Sequence, residues 1–150
     1  MELKIKALSP KIGADIPVPS YATAGSAGMD LRACIDAPVT IMPGEQGLIP
    51  TGLAIALPDP GYVALLYARS GLAIKHGLSP ANCVGVIDSD YRGEIVVALR
   101  NYAKEPYTVE PGERIAQMVI TPVVQAKVAL VDELDHTDRG AGGFGSTGRS

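Results

Sequence analysis

The sequence predicts an all-β domain, built as a sandwich or a barrel. Short apolar or alternating runs recur along the 150 residues, and 17 glycines and 12 prolines punctuate the chain. Short runs bounded by turn residues at this spacing are typical of strands in all-β folds. No window keeps the 3.6-residue periodicity of an amphipathic helix for long. A chain of this length corresponds to one domain with a sizeable apolar core.

The predicted strands follow the apolar runs in chain order. The first run alternates between apolar and charged residues, as a half-buried strand does, and the later runs lie between turn signals. The predicted strands are Leu3–Leu8, Met29–Cys34, Val39–Met42, Leu53–Leu57, Val63–Tyr67, Val84–Ile87, Ile95–Leu99, Tyr107–Val109, Ile115–Ile120 and Val128–Val131.

One helix and a terminal arm complete the predicted organisation. Ser70–His76 predicts about two turns of helix, with Ser70 as its N-cap and Gly77 closing its C-terminus. From Asp138 to Ser150 the composition shifts sharply to glycine, serine, threonine and arginine. We therefore predict a β domain over residues 1–137 and a mobile arm over residues 138–150.

Charge and composition exclude several classes of protein. The formal net charge of −3 argues against general attraction to nucleic acid, so positive charge at a site has to be local. No apolar stretch approaches the roughly 20 residues that cross a bilayer, and the N-terminus lacks the apolar core of a signal peptide. Two cysteines, Cys34 and Cys83, do not form a disulfide framework. We expect a cytoplasmic protein that binds neither membranes nor nucleic acid.

The run from Gly85 to Ile95, Gly-Val-Ile-Asp-Ser-Asp-Tyr-Arg-Gly-Glu-Ile, carries the densest chemistry of the chain. It predicts a hairpin in which a buried strand leads directly into Asp88. Desolvation at the end of a buried strand can tune a carboxylate as a general base. Tyr91 adds a flat face on which a sugar or a base can lie. An ordinary polar hairpin explains the same pattern about equally well.

Two earlier segments are too polar or too rich in glycine to serve packing alone. In residues 27–33, Asp30 and Arg32 alternate with apolar residues, which puts both on one face of a strand. An exposed face with a weak ion pair is the plainer interpretation. Residues 68–71 join a predicted strand to the predicted helix, where free N–H groups, an arginine and Ser70 suit an anion. Simple capping of the helix by Ser70 is the alternative.

Two later segments have the same character. In residues 112–118, Gln117 lies among apolar residues, where a glutamine usually finds a backbone partner. Residues 139–148 form a glycine-rich run whose N–H groups can converge on phosphate oxygens, beside Arg139 and the chain's single phenylalanine, Phe144. A disordered linker is the alternative for this run. The run is not a Walker loop, because no strand precedes it and no Gly-Lys-Ser/Thr follows.

Together and in this order, the five segments resemble the five motifs of the trimeric dUTP pyrophosphatase (dUTPase) family. The resemblance covers about Tyr21 to Gly148, and its third and fifth motifs are the most specific. It implies a jelly-roll-like β-barrel with one short helix and a flexible C-terminal arm. It also implies a homotrimer with active sites at the subunit interfaces, in which each arm closes a site built by its neighbours.

The resemblance implies hydrolysis of dUTP to dUMP and diphosphate, which lowers dUTP and supplies the precursor of dTMP. Asp88 corresponds to the aspartate that activates the attacking water at the α-phosphorus. Asp30 resembles the acid that orients a metal-bound water. The substrate-binding positions implied by the family are Arg69, Ser70, Gly71, Asn82, Val86, Ile87, Asp88, Tyr91, Gln117, Arg139, Phe144, Gly145, Ser146 and Thr147.

The nucleoside half of the implied site lies in the third motif. Asn82 and backbone groups around residues 84–87 would read the edge of uracil. Tyr91 would stack under the deoxyribose and exclude a ribose 2′-hydroxyl, while Phe144 of the arm would cover the uracil. Each of these roles is implied by the resemblance alone.

The phosphate half draws on the remaining motifs. Arg69, Ser70 and Gly71 would hold the phosphates, with Ser70 near the bridging oxygen, and Gln117 would contact the same region. Arg139 would bind the γ-phosphate, and Ser146 and Thr147 of the same arm would add phosphate contacts.

Magnesium is the expected counter-charge. A nucleoside triphosphate carries about four negative charges, and Mg²⁺ binds mainly through phosphate oxygens and its own waters. The two histidines, His76 and His136, lack the neighbours of a metal-ligand cluster, and we expect neither to bind a metal.

Two alternatives remain open at this point. One is an enzyme similar to the dCTP deaminases, which share the fold and use a carboxylate to activate water at the cytosine ring; here Glu94 is the nearest extra acid. The other is a regulatory protein that binds dUTP without hydrolysing it.

Overall fold

The computed structural model describes residues 1–143, and strands dominate them. Within this described part of the chain a single helix, α1, lies between the sixth and seventh strands. In chain order the elements are β1 Lys4–Ala7, β2 Met29–Arg32, β3 Val39–Ile41, β4 Gln46–Pro50, β5 Leu53–Ala56, β6 Tyr62–Tyr67, α1 Ser70–His76, β7 Leu78–Pro80, β8 Gly85–Ile87, β9 Val96–Asn101, β10 Tyr107–Val109 and β11 Arg114–Pro122.

The strands form two larger sheets and two strand pairs. One sheet has four strands in the order β2-β11-β6-β8, and the other has three in the order β4-β9-β7. β1 pairs with β5, and β10 pairs with β3. All these pairings are antiparallel. β11 is the longest strand and pairs with β2 on one side and β6 on the other, so it forms the centre of the four-stranded sheet.

Alternation along these strands separates the core from the functional face. In β2, Met29 and Leu31 are buried while Asp30 and Arg32 are half-buried on the opposite face. Side chains at successive positions of a strand point to opposite faces, so a strand that fills the core also presents polar groups outside it. The largest fully buried side chains are Leu31, Ile41, Ile49, Leu78, Ile95, Leu99, Ile115, Met118, Val97, Val109, Asn101 and Thr51.

The prediction of an all-β fold with one short helix is confirmed, and each difference in the individual strands has a physical cause. β4 and β7 were not predicted because each carries a proline and β4 also carries Gly47, which weaken the strand signal. The predicted strand Val128–Val131 is wrong. Its residues are exposed and pair with no strand among residues 1–143. A strand needs a partner for its backbone groups, and sequence alternation does not supply one.

Helix α1 spans the predicted residues, Ser70–His76, but its N-cap is not the predicted residue. Gly77 ends α1 in the left-handed conformation, with φ of 63°, and its N–H bonds back to the last turn. Ser70, however, is the first residue of the helix and not its cap. The cap position belongs to Arg69, in extended conformation, and no side chain caps the helix. The hydroxyl of Ser70 is therefore not used in capping.

No helix among residues 1–143 has the length and apolar character needed to cross a membrane.

A buried asparagine joins the end of β9 to β3 and to the loop that follows β9. The side chain of Asn101 is fully buried, and its Nδ2 donates to the carbonyl oxygens of Ile41 (3.0 Å) and Glu105 (2.8 Å). Its Oδ1 accepts from the backbone N–H of Ala103 at 2.9 Å. Removing this side chain leaves buried backbone groups without partners, which costs more than the hydrogen bonds themselves contribute.

We predict that Asn101→Ala lowers the free energy of unfolding by about 3 kcal/mol, because three hydrogen bonds are lost in the interior. Urea denaturation at one fixed protein concentration measures the change. Thr40→Ala is the control, since it removes an exposed hydrogen bond between Thr40 and Thr108. Equal losses in the two variants would contradict the role assigned to burial.

Candidate active site

Three polar residues form a row across the outer face of the four-stranded sheet. Gln117 on β11 lies opposite Asp30 of β2 on one side and opposite Tyr67 of β6 on the other. Directly opposed residues in antiparallel strands point to the same face. Since residues 68–71 follow β6 at this end, the sheet brings the first, second and fourth polar segments of the sequence together.

The carboxylate of Asp30 binds two arginines. Oδ1 accepts from Nε of Arg69 at 2.7 Å, and Oδ2 accepts from Nη1 of Arg114 at 3.1 Å. The plainer interpretation, an ion pair between Asp30 and Arg32, does not hold, because Nη1 of Arg32 donates to the carbonyl oxygen of Gly112 at 2.8 Å and Asp30 pairs with other arginines. Two guanidinium groups share one carboxylate, so the cluster carries local positive charge in a chain that is acidic overall. This charge suits an anion.

Sequence reasoning missed Arg114 for a geometric reason. Arg114 and Gln117 are three residues apart, which places them on opposite faces of a regular strand. The register of β11 against β2 shifts between Arg114 and Ala116. An irregularity of this kind re-aims side chains, so alternation alone does not predict that Arg114 reaches Asp30.

Gln117 supports the loop that carries Arg69 and Ser70. Its Nε2 donates to the carbonyl oxygen of Ala68 at 2.9 Å, which confirms the predicted backbone partner. Its Oε1 faces Gly28, where an added Cβ would lie only 3.2 Å from that oxygen. An open cavity of about 350 Å³ adjoins Asp30, Tyr67 and Gln117. The amide thus fixes the loop beside a space that is open to a ligand.

The far end of helix α1 is fixed by an aromatic contact. The ring of His76 lies 5.1 Å from the ring of Tyr107, whose hydroxyl donates to Oε1 of Glu113 at 2.5 Å. Burial raises the pKa of Tyr107 most, and this hydrogen bond raises it further. The phenol therefore stays a neutral donor. Ser70 and Gly71, at the start of the same helix, are exposed.

A second group of predicted residues lines a cleft between β8 and β9, which we call the slot. One part, of about 100 Å³, is lined by Asn82 and by β8 and β9 residues. The adjoining part, of about 220 Å³, is lined by Asp88, Tyr91 and Glu94. The two parts share Val86 and Ile87 of β8 and Val96 of β9, so they lie next to each other along the same two strands.

The slot replaces the predicted hairpin. β8 pairs only with β6 and β9 pairs with β4 and β7, so the two strands belong to different sheets and do not pair with each other. β8 is the edge strand of its sheet, and its second edge has no strand partner among the described residues. The backbone groups along that edge therefore face the slot and not another strand.

The predicted burial before Asp88 is wrong. Val86 is 61% exposed, and Asp88 itself is exposed at the mouth of the slot. A three-residue strand at a sheet edge is covered on one side only, so an apolar sequence does not ensure burial. In the isolated chain, burial gives no reason for Asp88 to act as a base.

The turn after Asp88 is closely packed on itself. The hydroxyl of Tyr91 donates to the carbonyl oxygen of Glu94 at 3.0 Å. A Cβ added at Gly93 would lie 2.3 Å from that hydroxyl, so any other residue there would displace the ring. The carboxylate of Glu94 accepts from the backbone N–H of Gly52 at 2.7 Å. Neither Gly93 nor Gly52 was singled out in the sequence, because neither carries reactive chemistry.

Within one chain the two groups of residues lie far apart. Ile87 is opposite Ala64 of β6, three residues from Tyr67, which is about 10 Å along the strand. Asp30 lies three strands away from β8, which adds about 14 Å across the sheet. The chain therefore does not bring Asp88 to the arginines that flank Asp30.

Of the arm residues predicted to bind substrate, the structure describes only Arg139. Arg139 is exposed in a turn that closes with the N–H of Gly142 bonded to its carbonyl oxygen at 3.1 Å. Phe144, Gly145, Ser146 and Thr147 lie outside the described residues. Residues 1–143 contain no group of three or more histidine, cysteine, aspartate or glutamate side chains placed to hold a metal ion.

A sequence model of the dUTPase family matches residues 14–148. The deoxyuridine 5′-triphosphate nucleotidohydrolase of Idiomarina loihiensis is 56% identical over 149 residues, which is 99% of each chain. The enzyme of that name from Hahella chejuensis is 58% identical over 97% of this chain and 96% of its own.

Solved structures give the same family. A variant dUTPase of Staphylococcus bacteriophage 80alpha, solved with dUpNHpp, superposes with a TM-score of 0.85 at 28% identity over 99% of each chain. A variant dUTPase from phage phi11 of S. aureus, described with a structural Mg(II) ion, gives a TM-score of 0.78 at 25% identity. It covers 91% of this chain and all of that one. The superposition with these dUTPases confirms the predicted jelly-roll-like β fold.

Proposed function

The chain belongs to the dUTPase family, and from this premise we propose that it hydrolyses dUTP to dUMP and diphosphate, lowering dUTP and supplying the precursor of dTMP. The observation that carries the proposal is the slot, which offers an unpaired strand edge at one end and the Asp88 carboxylate at the other. That arrangement suits a flat base, a sugar and a reacting phosphate in sequence.

The free edge of β8 would read the base. Uracil presents a carbonyl, an N–H and a second carbonyl in a row, which is the pattern of donors and acceptors along an extended backbone. Backbone groups of residues 84–87, with the amide of Asn82, would satisfy that edge. Cytosine replaces one acceptor and the donor by their opposites, so it leaves polar groups unpaired. The narrow part of the slot, of about 100 Å³, would also reject the methyl group of thymine.

Tyr91 would lie under the deoxyribose, and Asp88 would activate the water. The ring forms the wall of the wider part of the slot, next to Asp88. Asp88 would take a proton from a water molecule while the oxygen of that water forms a bond to the α-phosphorus. The bond from that phosphorus to the bridging oxygen would break, and diphosphate would leave.

The arginine cluster would hold the phosphates. Arg69, fixed by Asp30, would donate to phosphate oxygens together with Ser70 and the N–H of Gly71, while Gln117 would keep their loop in place. Ser70 would face the bridging oxygen, where charge develops as the bond breaks. Donors aimed at developing charge lower the barrier without covalent chemistry.

Asp30 fits a magnesium site only through water. Both of its oxygens already accept a hydrogen bond from an arginine, so it offers no free carboxylate as a direct ligand. Each oxygen still has a lone pair that can accept from a metal-bound water. Mg²⁺, when bound to the triphosphate, would supply counter-charge at its oxygens.

The active site would be shared between subunits of a homotrimer. A nucleotide whose base lay near Asn82 would direct its phosphates past Asp88, away from the arginines of the same chain. The arginines of a second chain would therefore complete the site. Residues 123–137 are exposed throughout, and their apolar side chains, such as Val124, Val128 and Leu134, would be covered in an oligomer.

The arm from residue 138 onward would close over the bound nucleotide. Arg139 would bind the γ-phosphate, Phe144 would cover the uracil, and the glycine-rich run with Ser146 and Thr147 would donate to phosphates. Closure would exclude bulk water from the reaction.

The two alternatives receive no support from the geometry. A deaminase needs a carboxylate free to activate water at the base, whereas the Glu94 carboxylate is bonded to the N–H of Gly52. No observation favours a protein that binds dUTP without hydrolysis.

We predict that the protein with Mg²⁺ releases diphosphate from dUTP in preference to dCTP, dTTP and UTP, and that Asp88→Asn lowers kcat by about a thousandfold. Binding of a non-hydrolysable dUTP analogue should change little, because the amide keeps the shape of the carboxylate. Asp90→Asn, in the same turn, is the matched control and should keep its turnover. Near-normal turnover of Asp88→Asn would remove Asp88 from its proposed role.

We predict that co-expression of Asp88→Asn chains with Arg69→Ala chains restores activity that neither has alone. If a site takes Asp88 and Arg69 from different chains, random assembly in equal amounts leaves about one quarter of the sites intact. Wild type mixed with the double variant should then give the same fraction, about one quarter. If both residues came from one chain, the first mixture would be inactive and the second would retain about half.

We predict that a chain ending at Thr137 remains folded and oligomeric but loses about a hundredfold or more in kcat/KM for dUTP, because closure no longer positions the phosphates. Circular dichroism and sedimentation measure the first property, and diphosphate release measures the second. Full activity would exclude the arm from catalysis, and unfolding would make it a structural element.

A further inference from the structure

The ring of Tyr91 is held by its own turn. The hydroxyl of Tyr91 donates to the carbonyl oxygen of Glu94 at 3.0 Å. The backbone N–H of Tyr91 donates to the carbonyl oxygen of Asp88 at 3.2 Å. The ring also lies directly over Gly93, where an added Cβ would be 2.6 Å from its Cζ atom. Tyr91 is 44% exposed, so packing against the core does not fix its side chain. Its position depends on residues 93 and 94.

Those residues are in turn anchored to the turn between β4 and β5. Oε1 of Glu94 accepts from the N–H of Gly52 at 2.7 Å. The next residue, Ile95, donates to the carbonyl oxygen of Leu53 at 2.8 Å, and its own carbonyl accepts from Oγ1 of Thr51 at 2.6 Å. Of these three hydrogen bonds, the one from Gly52 to the Glu94 carboxylate is the nearest to Tyr91 along the chain.

The anchoring turn has little freedom to move. Thr51 is fully buried. Gly52 has a φ of 69°, and a Cβ there would lie 2.7 Å from Sγ of Cys34. A rigid turn that binds the Glu94 carboxylate fixes the main chain of Glu94, and that main chain holds the hydroxyl of Tyr91.

We propose that Glu94 is a positioning residue that sets the discrimination between deoxyribose and ribose, by holding Tyr91 against the slot through Gly52. The inference rests on the proposed function, because the sugar is taken to lie on Tyr91. A ring fixed at its hydroxyl leaves no space for a 2′-hydroxyl. A ring released from its anchor can move away and admit one. Loss of the anchor therefore relaxes the rejection of UTP more than it weakens the use of dUTP.

The test compares Glu94→Ala with Glu94→Gln, measuring kcat and KM for dUTP and UTP separately. We expect Glu94→Ala to lower the ratio of kcat/KM for dUTP to that for UTP by about tenfold, mainly through a lower KM for UTP. Glu94→Gln keeps an oxygen acceptor for Gly52 and should retain the wild-type ratio. Calorimetric binding of dUDP and UDP provides a readout that does not depend on turnover.

Asp59→Ala is the matched control. The Asp59 carboxylate also accepts from a glycine N–H at 2.7 Å, that of Gly61, but it does not line the slot. It should alter thermal stability without altering the ratio. Gly93→Ala is a second test, because its Cβ displaces the ring, with Gly25→Ala in open space as its control.

An unchanged ratio of kcat/KM for dUTP to that for UTP in Glu94→Ala would overturn the proposal. An equal fall of this ratio in either Glu94→Gln or Asp59→Ala would overturn it as well. These outcomes are distinct from failure of the proposed function. If the wild-type protein released no diphosphate from dUTP, the function itself would fail. If it hydrolysed dUTP selectively while the Glu94 variants kept that selectivity, only the role of Glu94 would fail.

Discussion

The pairing of β11 with both β2 and β6 is the constraint on which the rest of the structure depends. It buries Met118 and Ala116 on one face and aligns Gln117 with Asp30 and Tyr67 on the other. A shift of one residue in this register would turn these side chains to the opposite faces. The packing of the core and the alignment of the polar row are therefore set by the same interaction.

The edge strand β8 differs from β11 in its pairing. Along its outer edge, the backbone N–H and C=O groups have no strand partner among the described residues. An unpaired strand edge invites further pairing and is usually protected. Here the edge faces the slot, where Asp88 and Tyr91 are held by a turn that is anchored elsewhere in the domain. An exposed edge and an exposed carboxylate make chemical sense together if a nucleotide and a second subunit cover them.

The sequence predicted the fold class and the helix bounds, since each has a local signal, and the site residues that it singled out remain a prediction. Alternation gave most strands, Gly77 marked the end of the helix, and the motif around Asp88 pointed to its chemistry. It did not predict the strands β4 and β7, whose prolines and glycine obscure the pattern. It also placed a strand at residues 128–131, where alternation is present but a partner is absent among the described residues.

Partnerships between distant residues were beyond the sequence for a physical reason. Asp30 binds Arg69 and Arg114 and not Arg32. The end of β6 brings the guanidinium group of Arg69 to Asp30, and an irregularity in β11 brings that of Arg114. Exposure of Asp88 likewise follows from the place of β8 at a sheet edge and not from its apolar composition. The sequence by itself determined which chemical groups the chain carries and which family it resembles, because residue type and spacing are local properties. Only the tertiary structure decided which groups meet, because register and strand order arise from pairing across the whole chain.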